Sequence, residues 1–395
     1  MALNTVSSDR LSTNVKNTNF TAAEKQDLTD DIKPLLGSSG GGNKNLIVNG
    51  SCIVAQRGVT YTGANPFTTV DRFRLNHTGL NEDCTTAQAD VASGTTPYTN
   101  GFRKSFKVTN GNQSAGAGAG DRIAIQYRLE AQDVANSGWN YVSSSSDITL
   151  QFWVKSSVAQ NFFGRLYTSD GTSQNYPFQT GSLTADTWTK ITKTIPGNSN
   201  LQFDNNSERG LDVEFTLFRG TNETGSVTLN QWAAFSSSTY TPDNTATWYT
   251  TNDATFEITG VQLEVGSVAT EFEHRPFSLE ERLCQRYYFR QSAEHQYMRY
   301  ACHGQTPSAN GAQYVYPLPV RMRAVPTLGY SALGDFYMYA GNLQSKTPTS
   351  LAMDAQSTIS PMFVGAKSST FTGGQMAHLT TPNANQGYLE FIAEL

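Results

Sequence analysis

Hydrophobic residues along most of this chain recur at every second position. Ile148, Leu150, Phe152 and Val154 alternate with Thr149, Gln151 and Trp153, and Leu211, Val213, Phe215 and Leu217 repeat the pattern. A period of two sends successive side chains to opposite faces of a strand. Phe256 and Ile258 continue it, and then Val261, Leu263 and Val265 come after a one-residue slip at Gly260. That slip predicts a β-bulge. Turn clusters such as Ser169-Asp170-Gly171 and Ile195-Pro196-Gly197-Asn198 separate the runs. Many short alternating strands joined by polar turns predict an all-β, jelly-roll type of β-sandwich over 44–275. No strand is followed by an amphipathic helix, which disfavours a parallel α/β sheet.

Two stretches break the alternation. In residues 1–43, Thr21 and Glu24 fit a capping box, and Leu28, Ile32, Leu35 and Leu36 recur at helical spacing. Pro34 ends or kinks that helix, and the glycines and serines of 37–42 come next as a flexible linker. A short helical or extended segment on a hinge cannot bury one apolar stripe by itself. Leu28, Ile32, Leu35 and Leu36 are therefore candidate anchoring residues for another chain. The competing reading is a frayed terminus lying on its own domain. Farther on, Phe277 to Tyr288 predicts one helix with Leu279, Leu283 and Tyr287 on a face. Strand-like runs at 313–316, 334–339 and 387–392 then make 276–395 a second, smaller C-terminal β-domain.

Composition adds two constraints. Charged residues are 15% of the 395, against ~25% in ordinary soluble domains, and Thr, Ser, Asn and Gly take their place. The net charge is −5 with no basic run, which argues against nucleic acid as a partner, since phosphate neutralisation needs clustered Lys and Arg. No stretch reaches the ~20 apolar residues of a membrane span, so no membrane insertion is expected. Met1 to Thr5 shows no signal-peptide pattern, so synthesis in the cytoplasm is expected. Cys52, Cys84, Cys284 and Cys302 have no CxxC spacing and read as free core thiols.

Catalytic signatures are absent: no H-E-x-x-H or Walker loop occurs, and no G-x-S-x-G elbow, the one match to that spacing, Gly37 to Gly41, falling within the glycine-serine linker. The run Ala115–Gly120 lacks the lysine and helix of a phosphate cradle and reads as a loop. His295 and His303 flank Cys302 without ligand spacing, so no metal site is expected. Asp204-Asn205-Asn206-Ser207-Glu208, with Asp212 nearby, clusters oxygens that calcium would accept, but lacks the loop glycine of a calcium motif. No cofactor is expected. A pair of carboxylates for glycan cleavage is a spacing in three dimensions and leaves no sequence motif. Aromatics, at 11%, are the better lead. Tyr297, Tyr300, Tyr337 and Tyr339 are the candidate binding residues, because tyrosine offers an apolar face for a sugar ring or an interface together with a hydroxyl.

Three sets of motifs resemble a family of bacteriophage tail fibres and phage minor structural proteins. Asn45-Leu46-Ile47-Val48-Asn49-Gly50, Ala55-Gln56-Arg57-Gly58 and Thr69-Val70-Asp71-Arg72-Phe73 are similar to the opening of its domain. Gly260-Val261-Gln262-Leu263-Glu264-Val265-Gly266 and Ala269 to Pro276 are similar to its closing strand. Leu283 to Tyr288 and Met322 to Thr327 are similar to the region beyond that strand in those proteins. The resemblance implies a jelly roll like that of carbohydrate-binding modules, in a virion fibre that is a homotrimer. It implies attachment to a host-surface glycan or protein, docking on other virion proteins through 1–43, and no catalytic residues. Asp71-Arg72 reads as a local ion pair. A capsid-decorating fibre or adaptor and a glycan depolymerase stay open beside the tail fibre.

Overall fold

Strands that are apolar on one face must bury that face against another sheet, and the first unit of this chain does so with two. The computed structural model describes residues 44–341, 344–355, 357–366, 371–382 and 387–395; Leu28, Ile32, Leu35 and Leu36 lie outside them. The first sheet has six strands in the spatial order β1 (Thr60–Thr62), β3 (Thr85–Asp90), β4 (Lys104–Thr109), β12 (Thr255–Val265), β6 (Asp147–Ser156) and β9 (Thr189–Pro196). The second runs β11 (Ala233–Ala234), β8 (Gln174–Ser182), β7 (Asn161–Thr168), β10 (Arg209–Arg219), β5 (Arg122–Glu130) and β2 (Phe73–Thr78). Neighbours pair antiparallel, and the chain passes from sheet to sheet between β4, β5, β6 and β7, as a jelly roll requires.

Aromatic rings stitch the sheets together. Phe152 of β6 meets Phe215 of β10 at 4.7 Å between ring centres, and Phe256 of β12 meets Phe162 of β7 at 4.9 Å. The expected bulge is present: the β12–β6 register slips between Thr259 and Gln262. Gly260 there has φ +62°, and a Cβ would stand 2.6 Å from the Phe102 ring, so only glycine fits.

The opening and closing motifs lock to one another. The Asn45 amide donates to the Val261 carbonyl (3.1 Å) and accepts from the Leu263 N–H (3.0 Å). Asn49 donates to the carbonyls of Val54 and Asp71, both at 2.9 Å. Gly50 passes so close to β12 that a Cβ would sit 2.0 Å from the Val261 oxygen. These motif residues are architectural: they satisfy the backbone of a strandless segment that would otherwise be buried unpaired.

The C-terminal unit has its own core around Tyr314, Met322, Phe336, Met338, Leu379 and Phe391. It contains a three-stranded sheet, β13 (Tyr288–Ser292), β22 (Tyr388–Ile392) and β16 (Thr327–Tyr330). Beside it lies a seven-stranded sheet in the order β18 (Gln344–Lys346), β17 (Tyr337–Ala340), β21 (Met376–Thr380), β14 (Arg299–Ser308), β15 (Gly311–Val315), β20 (Met362–Ala366) and β19 (Ser350–Ala355). The helix expected near 277–288 spans Phe277–Gln285. It packs back on the sandwich, with buried Glu280 accepting the Asn49 N–H.

The seam between the units is ionic and buried. Arg72 does not pair with Asp71, contrary to the reading from adjacency. Its guanidinium lies 3.3 Å from the centre of the Tyr287 ring, donates to Glu394 at 2.8 Å and to the Arg128 carbonyl at 2.6 Å, and is fully buried. Arg57 lies over Tyr288 and stands 3.2 Å from the other oxygen of Glu394. Arg286 grips Glu130 through two 2.7 Å bonds. The Asp71 carboxylate accepts from the backbone and amide of Gln56 (3.1 and 2.5 Å). Burial pushes it up to about 6, against the opposing pull of Arg57.

The seam makes two measurable differences. Glu394→Gln leaves the Arg72 charge buried without its partner and should lower unfolding stability by about 3 kcal/mol in denaturant titration. Asp71 has a folded pKa above its unfolded value of 3.8, so its ionisation destabilises the fold above pH ~6 and that cost disappears as pH falls below ~4. Asp71→Asn should remove this dependence. The stability of the natural chain relative to the variant should therefore rise by roughly 2–3 kcal/mol between pH 7 and pH 4; a pH-independent difference contradicts it.

Candidate functional site

The same alternation that fills the core sends a second set of residues to the outer face of the second sheet. On β10, Leu211, Val213, Phe215 and Leu217 point inward, so Asp212, Glu214 and Thr216 point outward, yet all three are buried. Ladder registers set their neighbours. Arg165 of β7 stands opposite Glu214, which stands opposite Gln126 of β5, which stands opposite Arg74 of β2. In the next row Tyr167 faces Asp212, and Asp212 faces Arg128.

Glu214 anchors this face. It accepts from Gln126 Nε2 (2.6 Å), Arg219 (2.7 Å), Thr216 (3.1 Å) and Arg165 (3.2 Å). Burial by itself would raise its pKa; the flanking Arg165 and Arg219 outweigh that and hold the carboxyl well below the usual range. It is ionised at every ordinary pH and cannot serve as a proton donor. Arg122 pairs with Glu223 at 2.7 Å and Arg209 with Asp212 at 2.6 Å.

A segment running over the face supplies aromatic rings. Tyr240 lies between two guanidiniums, those of Arg165 (4.3 Å) and Arg219 (4.2 Å). Phe235 bridges Tyr240 (5.1 Å) and Tyr167 (4.9 Å). Hydrogen-bonding capacity is left over: Gln126 Oε1 and the Nε atoms of Arg74, Arg122, Arg128 and Arg165 are buried without a hydrogen-bond partner among the described residues. Buried polar groups are ordinarily satisfied, so a cluster of unfilled ones on a single face marks a place where a polar ligand would bind.

The tyrosines singled out from the sequence lie on the other unit and do not form one site. Tyr337 and Tyr339 share the outer side of β17, their rings 6.3 Å apart, and Tyr339 stacks on His378 at 5.0 Å. Tyr297 is 57% exposed in a turn. Tyr300 is corrected: it is a core residue, packed on Phe336 at 5.4 Å with its hydroxyl donating to the Gly387 carbonyl at 2.7 Å. Tyrosine density raised all four alike, and strand parity decides which of them reach solvent. Asp212 is likewise turned onto the sheet and held by Arg209, away from the oxygens of 204–208. Cys52, Cys84 and Cys284 are buried thiols, and burial pushes Cys52 and Cys84 up to about 12.

The arginine face had a sequence signal. Arg122, Gln126 and Arg128 occupy outward positions of a strand whose inward positions are Ile123, Ile125, Tyr127 and Leu129. In a chain so poor in charge, polar groups that can hydrogen-bond along one strand face are the residues to single out.

Glu214→Gln leaves Arg165 and Arg219 buried beside a neutral amide and should cost roughly 3–5 kcal/mol of stability. Because the folded pKa of Glu214 is depressed, its contribution is complete above pH ~4.5 and is lost only in strong acid. The deficit of the variant, measured by denaturant unfolding, should therefore be flat from about pH 5 to 8.

No protein-family model matches this chain, and no curated protein sequence does. Among solved structures it is similar to the enzymatically active domain of tailspike protein 4 of bacteriophage CBA120, with TM-score 0.30 and 9% identity, over 56% of this chain and 22% of that one. It is similar also to the family 11 carbohydrate-binding module of a Clostridium thermocellum cellulosomal cellulase, with TM-score 0.25 and 13% identity, over 55% of this chain and 100% of the module. The N-terminal cellulose-binding domain of Cellulomonas fimi β-1,4-glucanase C gives TM-score 0.25 and 8% identity, over 49% of this chain and 89% of that domain. At these values the likenesses assign neither a family nor a ligand.

Proposed function

We propose that this chain is an attachment subunit of a bacteriophage particle, a tail-fibre-type protein that binds saccharide on the outer face of its second sheet. The observation that carries the binding reading is the array of Gln126 and Arg165, buried, and Arg74 and Arg128, half-buried, each with a buried hydrogen-bonding atom left unfilled among the described residues, beside the rings of Tyr167, Phe235 and Tyr240. Sugars present hydroxyls in fixed directions and an apolar C–H face. Planar guanidinium and amide groups satisfy the first, and aromatic rings the second. The phage setting rests on the motifs of 45–73 and 260–327 that resemble tail-fibre proteins.

Binding without turnover suits this face, since Glu214 is locked as an anion by two arginines. In a homotrimer docked through 1–43, weak single-site affinity would be multiplied by simultaneous engagement. Light scattering on the full chain should give three times the 43.1 kDa chain mass; a monomer argues for a decoration or adaptor protein. On a glycan array, Tyr240→Ala should lower binding at least about tenfold, on the scale of a lost aromatic contact. Replacing both Tyr337 and Tyr339 by alanine should leave it unchanged. The opposite pattern moves the site to the C-terminal unit.

A further inference from the structure

Charge on the outer face of the second sheet does not balance. Among the described residues six guanidiniums converge there, those of Arg74, Arg122, Arg128, Arg165, Arg209 and Arg219, against three side-chain carboxylates, those of Asp212, Glu214 and Glu223. Four of the arginines have a carboxylate close at hand: Arg165 and Arg219 share Glu214, Arg122 has Glu223, and Arg209 has Asp212. The two left over are neighbours. Arg74 makes no hydrogen bond or ion pair among the described residues, and Phe67 lies 5.6 Å from its guanidinium. Arg128 reaches Asp212 only at 3.7 Å and donates one N–H to the main-chain oxygen of Leu395 at 2.7 Å.

Register sets how the two relate. Arg74 is directly opposite Gln126, and Arg128 is two residues along the same strand on the same face, so the two residues are diagonal neighbours, about 7–8 Å apart. Gln126 is itself 4% exposed, with Nε2 committed to Glu214 and Oε1 free. Both cations are held below the ordinary arginine range. Burial does most of this, Asp212 opposes it, and like charge adds to it: Arg209 acts on both, and Arg74 presses on Arg128, which is drawn down to about 10. Both remain charged at neutral pH. Two half-buried guanidiniums held side by side repel, and an anion between them converts that repulsion into two charge-assisted hydrogen-bonding pairs.

We infer that the saccharide taken by this face is acidic, with its oxyanion seated between Arg74 and Arg128 and a neighbouring hydroxyl donating to Gln126 Oε1. This rests on the glycan-binding reading above and narrows it to sugars that carry a carboxylate or a phosphate ester. Neutral glucans and xylans lack the group that the two arginines would hold.

The test is a glycan array with the full-length protein. It displays uronic-acid oligosaccharides beside their methyl esters, and phosphorylated oligosaccharides beside their dephosphorylated forms. Binding is expected in one acidic class, which identifies the oxyanion. It should weaken at least tenfold on esterification or phosphate removal, and fall as sodium chloride is raised. Arg74→Gln and Arg128→Gln should each lower that binding tenfold or more. Arg74→Gln should leave the unfolding temperature unchanged or raised, because it removes a repelled cation that makes no ion pair among the described residues, so loss of binding cannot be ascribed to loss of fold. Neutral saccharides bound as tightly as acidic ones, with Arg74→Gln without effect and Tyr240→Ala still disruptive, would overturn the acidic inference and leave the glycan reading standing. No binding to any saccharide, acidic or neutral, would overturn the glycan reading and this inference with it.

Discussion

The burial of Arg72 is the constraint on which the arrangement of the two units depends. A guanidinium taken out of water needs a counter-charge and filled donor sites. The sandwich supplies only part of this, through the Arg128 carbonyl and the Tyr127 ring. The rest comes from the other unit: Tyr287 stacks on the guanidinium, and Glu394, 322 residues away in sequence, supplies the charge. Arg323 holds the last strand's exit to the sandwich by donating to the carbonyls of Ser207, Ala393 and Glu394. The sandwich and the C-terminal unit have separate cores, yet the buried charge of the sandwich is balanced only with the other unit in place.

That seam also borders the arginine face. Arg72 and Arg128 meet through a backbone carbonyl, and Leu395 reaches Arg128 because Glu394 is pinned to Arg72. The outer face thus borders a structural arginine that has its own carboxylate in Glu394, and carries arginines whose pairing is incomplete. The contrast between Arg219 and Arg74 makes the same point. Both sit on the outer face beside an aromatic ring; Arg219 has two carboxylates, and Arg74 pairs with none among the described residues.

The anion Glu214 organises the outer face of the second sheet. It offsets the charge of Arg165 and Arg219, which would otherwise be too costly to bury, and it orients Gln126 so that one amide atom is used and the other is free. With Arg165 and Arg219 both directed at Glu214, Tyr240 is clamped between guanidiniums.

The sequence by itself determined the strands, the bulge at Gly260 and the helix after Pro276. Those are local properties, set by side-chain period, glycine geometry and turn chemistry. It also marked the motif residues Asn45, Asn49, Gly50 and Gln262, though the bonds they fill across some 200 positions were not legible. Tertiary structure alone decided that Arg72 pairs with Glu394 and not Asp71, that Tyr300 is core while Tyr297 is exposed, and that Arg74, Gln126, Glu214 and Arg165 form one row. The physical reason is that a ladder's register and a charge's partner are fixed by strands far apart in the chain. Alternation tells which side of a strand a residue faces, and it does not tell what lies across from it.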